Sequence, residues 1–216
     1  MNAAGGGKLS GGQFTAKRRD RRAVSGRKVV LEDVNDERMT VKEVAVRALC
    51  LFGIWLANTP TPREEVILWL KNNDLWESLT PDELRFVKTD QPTTKQQIDF
   101  SWHIERLHVL SWALNINDEM APPNEQGTIA QFQKAISPLN ADTSKRFINS
   151  VNLRNEIEIW EMADIIEKAH WTARNAKIGP SPAKAVNLEI VQERHHAINW
   201  ILWGREENWD DVNTDT

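Results

Sequence analysis

The chain has 216 residues, of which 40% are hydrophobic and 27% are charged, and its formal net charge is −4. These values are typical of a soluble globular protein. The single cysteine and the lack of any run of about 18 apolar residues exclude disulfide-scaffold and membrane-spanning classes. The first residues lack the charged-then-apolar order of a secretory signal, so we expect a cytoplasmic protein.

Residues 1–28 differ from the rest of the chain in charge. They carry eight basic residues and one acidic residue, a net charge of +7, which leaves 19 basic and 30 acidic residues, or −11, for residues 29–216. The segment is nearly devoid of apolar side chains, which predicts a disordered basic leader before a single domain. Weak contact with nucleic-acid phosphates is an open alternative for its basic run, Lys17, Arg18, Arg19, Arg21 and Arg22.

From residue 29 onward, the pattern is helical. A threonine three residues before a glutamate predicts a capping box at the start of a helix. Such pairs are Thr40 with Glu43, Thr61 with Glu64, and Thr80 with Glu83. No convincing period-two alternation is present, so we predict an all-α bundle of about seven helices. The predicted ranges are 41–57, 62–73, 81–88, 95–116, 128–136, 144–177 with a break near 150, and 186–203.

Four of the predicted helices place an ionisable residue on an otherwise apolar face. The first helix has Arg47 in such a stripe, the fourth has Glu105, the sixth has Asp164 and the last has His195. Because an isolated buried charge is costly, we expect these groups to pair with one another in the interior, with Glu193 and Arg194 beside them. The stripes themselves are Val44, Arg47, Leu51 and Ile54; Ile98, Trp102, Glu105, Val109, Trp112 and Ile116; Leu153, Ile157, Trp160, Asp164 and Trp171; and Leu188, Val191, His195, Ile198 and Leu202.

Motifs for other chemistry are weak. The run Gly5–Ser10 lacks the strand, the helix and the adjacent Lys-Ser/Thr pair of a phosphate loop. His103 and His108 are five residues apart and do not share a helix face, so we expect no metal site and no cofactor. The ten tryptophans are expected to lie mostly in the core, and the acidic end of the chain is expected to dock on the body through Trp209.

The chain over about residues 40–216 resembles a bacterial domain of unknown function, the one numbered 4272. The segments that carry the resemblance are Glu43–Leu49, Leu79–Glu83, Glu105–Leu114, Ala163–Ile166, His170–Trp171, Glu193–Trp200 and Trp209–Thr216. One departure is Leu114-Asn115, where the family usually has Leu-Gly. The resemblance implies that one set of landmark residues belongs together: Arg47, Glu105, Asp164, His170, Glu193, Arg194, His195, Asp210, Asp211 and Asp215.

Three functions remain open at this stage. We favour a non-catalytic protein-binding domain with a buried polar network, including the neutralisation of a basic toxin, because the body is acidic. The second is an enzyme of unidentified class that uses Glu105, Asp164 and His195 around a pocket. The third is a nucleic-acid accessory factor that acts through the leader. A closed, dry core favours the first function, and a deep cleft that exposes two of the three candidate side chains favours the second.

Overall fold

The computed structural model describes residues 38–176, 186–205 and 208–215. The predicted leader and its candidate phosphate contacts lie outside these residues. The described residues form an all-α fold, as predicted, with no strand. Their helices are α1 (Val41–Ala57), α2 (Arg63–Asn72), α3 (Pro81–Lys88), α4 (Thr94–Ser101), α5 (His103–Ala113), α6 (Ala130–Ile136), α7 (Thr143–Ser150), α8 (Glu156–Ala176) and α9 (Leu188–Trp203), with short 3₁₀ helices at Trp76–Ser78 and Trp209–Asp211.

Capping residues set the starts of the early helices. Thr40 and Thr80 begin α1 and α3 with the predicted capping boxes. The box predicted at Thr61 is wrong, because the Thr61 hydroxyl lies 2.8 Å from the Thr59 hydroxyl and α2 begins after Pro62. A side chain engaged in the preceding turn is no longer placed to accept from the first helical N–H groups.

The predicted helix over 95–116 is two helices, α4 and α5, that meet at Trp102. Trp102 keeps helical dihedral angles and ends one helix while beginning the next. Neither glycine nor proline stands at this break, so the usual sequence signal for it is absent. The break predicted near residue 150 is confirmed, because α7 ends at Ser150 and α8 begins at Glu156.

The helix α1 lies at the centre of the packing. It contacts α2, α3, α5 and α7, while α5 packs on α9 and α9 packs on α8. Gly53 of α1 allows the close approach of α2, since a Cβ atom there would lie 2.6 Å from Leu70 Cδ2. Among the described residues, no helix combines the length and the apolar character required to cross a bilayer.

The buried face of α8 differs from the predicted one. Ile159, Ile166 and His170 are buried, whereas Ile157 and Trp171 are 69% and 58% exposed. Apolar residues lie on several sides of this helix, so two stripes compete in its sequence and periodicity alone does not decide between them. Packing against α9 selects the stripe that contains His170.

Candidate functional site

The ionisable residues predicted to converge are distributed over three clusters. The first joins Glu105 to Arg194, the second joins His170 to His195, and the third surrounds Trp209 and includes Arg47. Asp164 belongs to none of them.

The first cluster is a buried ion pair between α5 and α9. Arg194 Nε donates to Glu105 Oε2 at 2.9 Å, and the backbone N–H of Gly127 donates to Glu105 Oε1 at 2.9 Å. The two side chains are 2% and 0% exposed. The Glu105 carboxylate is therefore held by a cation and an amide in a place that solvent does not reach, as the stripe argument predicts for a buried charge.

The remaining donors of Arg194 hold the loop between α5 and α6. Nη1 donates to the carbonyl oxygens of Ala121 at 2.5 Å and Pro122 at 3.1 Å, and Nη2 donates to that of Glu125 at 2.8 Å. His108 fastens the same loop, because its Nε2 accepts from the Ala121 N–H at 3.1 Å. Five donors in a planar fork suit arginine to this role, in which one side chain orders an irregular segment.

The second cluster is a pair of histidines between α8 and α9. His170 Nδ1 and His195 Nδ1 are 2.9 Å apart, so one ring donates and the other accepts. Both side chains are buried. Burial lowers the pKa of His170, and the nearby Arg174 lowers it further, which favours neutral imidazole at this position.

The prediction that Asp164 belongs to the buried network is wrong. Its side chain is 61% exposed and forms an ion pair with Lys168, one turn further along α8. The choice of the wrong stripe on α8 explains the error, since Asp164 lies on the face opposite the one that packs on α9.

The third cluster begins with Arg47, whose partner is Glu83 of α3 rather than Glu105. Arg47 Nη2 lies 2.7 Å from both carboxylate oxygens of Glu83, and both side chains are buried. Glu83 also accepts from the Thr80 N–H at 2.9 Å and so completes the capping box of α3. The predicted box and the apolar residues Phe86 and Val87 after it were the sequence signal that Glu83 faces the core.

Trp209, near the end of the described chain, packs against two guanidinium groups. Arg47 Cζ lies 4.9 Å and Arg106 Cζ lies 5.7 Å from the centroid of its indole. Trp200 and His196 contact it edge to face, at centroid distances of 5.0 Å and 4.8 Å. Cation–π contacts and apolar burial together dock this segment on the helices, as expected from the sequence.

Arg106 and two histidines, His103 and His196, form a cluster near Trp209 that the sequence did not predict. Arg106 forms an ion pair with Glu193 and approaches His196 Nε2 at 3.4 Å. Burial, followed by the charge of Arg106, lowers the pKa of His196 to about 2 and lowers the pKa of His103 well below its usual value. Both histidines are therefore neutral at physiological pH, and they serve packing rather than charge.

The three aspartates near the end of the chain are exposed. Asp210 lies beside Thr80, and partial burial raises its pKa while the hydrogen bond from the Thr80 hydroxyl opposes that rise. Asp211 accepts from Asn208 Nδ2 at 3.1 Å, and Asp215 lies 3.9 Å from Arg174 Nη1. These residues border the described network but are not part of its buried centre.

A cleft of about 910 Å³ runs between this segment and the starts of α1 and α3. Its walls include Arg47, Thr80, Trp200, Trp209 and Asp210. The Arg47 guanidinium is paired with Glu83. Glu105 and His195 do not line the cleft. Within the described ranges, no three histidine, cysteine, aspartate or glutamate side chains converge as a set of metal ligands.

Comparison with known families supplies one match. The model of a domain of unknown function, DUF4272, matches residues 17–212, which is most of the chain. The chain belongs to the DUF4272 family. A search of the curated proteins and of the solved structures finds no match to this DUF4272 chain.

Asn115 follows α5 at the position where the resemblance noted above implies a glycine. It has φ of 57°, a left-handed conformation that asparagine tolerates better than most residues. The turn closes through a bond from the Ile116 N–H to the Ser111 carbonyl at 2.9 Å. Asn115 Nδ2 donates to the Asn152 carbonyl at 3.1 Å, so this end of α5 is also tied to the segment before α8.

Proposed function

We propose that this protein is a non-catalytic protein-binding domain that captures a basic partner by electrostatic complementarity. The form that we favour is neutralisation of a basic toxin or nuclease. Such a role requires a stable acidic surface and does not require a reactive pocket.

The observation that carries the proposal is the state of the three residues that an enzyme would have used. Glu105 is fully buried and bound by Arg194, His195 is bound to His170, and Asp164 lies exposed on an outer face. No cleft that exposes two of these side chains is found among the described residues. Catalytic groups need access to a substrate, and two of the three candidates lack it.

Charge supports the choice of a basic partner. Residues 29–216 carry a net charge of −11, counted from their 19 basic and 30 acidic residues. A charge of this size attracts a basic protein over about a Debye length and speeds association. It also repels nucleic acid, which argues against a nucleic-acid partner for this part of the chain.

The experiment is capture by the full-length protein from nuclease-treated extract at about 0.05 M NaCl, followed by elution with rising salt up to about 0.5 M. We expect captured proteins of high isoelectric point whose affinity falls with salt. Reversal of exposed acids dispersed over the surface, Glu65→Lys, Glu119→Lys and Asp142→Lys together, is expected to weaken capture. A partner that stays bound through high salt and through charge reversal contradicts the proposal.

A control is needed for the basic leader, because its positive charge attracts phosphates rather than basic proteins. The full-length variant in which Lys17, Arg18, Arg19, Arg21 and Arg22 are replaced by glutamine removes that contribution. Capture that survives this variant and fails in the acid-reversed variant supports binding through the acidic body. The converse result assigns capture to the leader and contradicts binding through the acidic body.

A further inference from the structure

The outer face of α8 exposes large apolar side chains to solvent. Ile157 is 69% exposed, Ile165 is 58% exposed and Trp171 is 58% exposed. Exposed tryptophan adds much to the affinity of protein interfaces, where it ranks among the residues most often found at their energetic centres.

These three side chains lie on one face of the helix. At 100° per residue, they fall within about 120° of one another, and they span about 21 Å along the axis. The opposite face of α8, with Ile159, Ile166 and His170, packs on α9. The outer face therefore carries three exposed apolar side chains over about four turns, with Glu161 and the Asp164–Lys168 pair among them, and no described residue covers it.

Two carboxylates, those of Glu161 and Glu167, lie close to the three exposed apolar side chains. Glu161 lies one turn from both Ile157 and Ile165, and Glu167 lies one turn before Trp171. Neither glutamate forms an ion pair with a described residue, whereas Asp164 is paired with Lys168. The helix as a whole has five acidic residues and two basic ones. Acidic groups beside apolar ones favour a partner with the complementary pattern.

We propose that the outer face of α8 is the docking surface for a basic amphipathic helix of a partner protein. This inference rests on the proposed function and assigns it to a place on the molecule. A partner helix of about four turns, laid along α8, buries its apolar residues on Ile157, Ile165 and Trp171. Its lysine or arginine residues then lie near Glu161 and Glu167.

The test uses a fluorescently labelled synthetic peptide of leucine and lysine in a helical amphipathic pattern, with binding to the full-length protein followed by anisotropy. A matched peptide with glutamate in place of lysine is the control. We expect Trp171→Ala to weaken binding of the leucine–lysine peptide about tenfold or more. Leu68→Ala on α2 and Ile98→Ala on α4 alter equally exposed residues and are expected to change it less than about twofold.

Charge is tested in the same assay. The double variant Glu161→Lys with Glu167→Lys is expected to weaken binding of the basic peptide at low salt and to strengthen binding of the acidic one. The double variant Glu64→Lys with Glu65→Lys, two exposed acids on α2, is the matched control. Equal effects of the α8 and α2 variants overturn the assignment of the surface.

Two further outcomes separate this inference from the proposed function. If a basic partner is captured in a salt-dependent manner but Trp171→Ala and Glu161→Lys leave its affinity unchanged, the surface is wrong and the function stands. If no basic partner is captured at all, both fail. If Trp171→Ala instead converts a dimer of this chain into a monomer in light scattering, the face binds a second copy, and the inference is overturned.

Discussion

At the scale of single residues, the same kind of ion pair occurs in two settings with different consequences. Glu105 and Arg194 are both buried, whereas Asp164 and Lys168 are 61% and 72% exposed. Breaking a buried pair leaves an uncompensated charge in a place of low dielectric constant, which costs about 3–5 kcal/mol. An exposed pair one turn apart contributes only about 0.3–0.5 kcal/mol.

The substitution Glu105→Gln is therefore expected to reduce the free energy of unfolding by about 3 kcal/mol or more, because it leaves the Arg194 guanidinium without its counter-charge. Asp164→Asn makes the same chemical change at the surface and is expected to cost less than about 0.5 kcal/mol. Urea unfolding followed by circular dichroism measures both values. Equal losses for the two variants would show that the Glu105 pair is not the structural bond described above.

At the scale of elements, Trp209 is the one buried residue of the segment 208–215 and fixes it on the helices. Trp209 is 6% exposed and contacts Arg47 and Arg106. No described residue accepts a hydrogen bond from its indole N–H, so apolar contact and the ring face supply its contribution.

Trp209→Ala is expected to lower the free energy of unfolding by about 3–5 kcal/mol, since it leaves a cavity beside two cations. Trp209→Phe keeps an aromatic face toward Arg47 and Arg106 and is expected to cost less. Trp171→Ala serves as the control, because Trp171 is 58% exposed and its loss leaves no cavity. A loss for Trp209→Ala no larger than that for Trp171→Ala would contradict the anchoring role.

The helices also show what the sequence allowed us to predict. Capping boxes and prolines predicted the starts of α1 and α3, because those signals act within one turn. The division between α4 and α5 at Trp102 and the buried face of α8 were predicted wrongly. The buried face of α8 depends on its packing against α9, and local periodicity does not contain such contacts. The break at Trp102 has no glycine or proline to signal it.

The residues of the candidate site were also predicted only in part from the sequence. The burial of the Glu105 carboxylate and its pairing were predicted from the cost of burying an isolated charge. The loop carbonyls that accept the other hydrogen bonds of Arg194 were not predicted. Arg47 was predicted to be paired, but its partner Glu83 was not predicted. Glu83 also completes a capping box, and that sequence pattern does not indicate a second partner. Arg106 and His196 were not predicted because they lie on α5 and α9 beside the stripes considered, and their contact with Trp209 joins them to a segment outside both helices.

At the scale of the whole molecule, several histidines are buried in neutral form. Burial lowers the pKa of His108 and His170 and lowers that of His196 to about 2. A group whose pKa is lower in the folded chain binds protons first in the unfolded chain. Stability is then fully present above the unfolded pKa of about 6.5 and falls as the pH drops below it.

We expect the free energy of unfolding to be nearly constant above about pH 7 and to fall below about pH 6.5, with each such histidine adding about 1.4 kcal/mol per pH unit. Urea unfolding at several pH values measures this slope. His196→Gln is expected to reduce the slope, whatever its effect on stability at neutral pH. A slope that is zero from pH 7 to pH 5, or is unchanged in His196→Gln, contradicts the assignment.

The bonds from Arg194 to the loop after α5 have a consequence for how this chain tolerates change. Every loop group that Arg194 contacts is a main-chain carbonyl, and any amino acid supplies one. Variation in the side chains at 121, 122 and 125 is thus compatible with an unchanged loop path. Position 194 has no such latitude, because lysine offers neither the planar fork nor enough donors to replace the guanidinium.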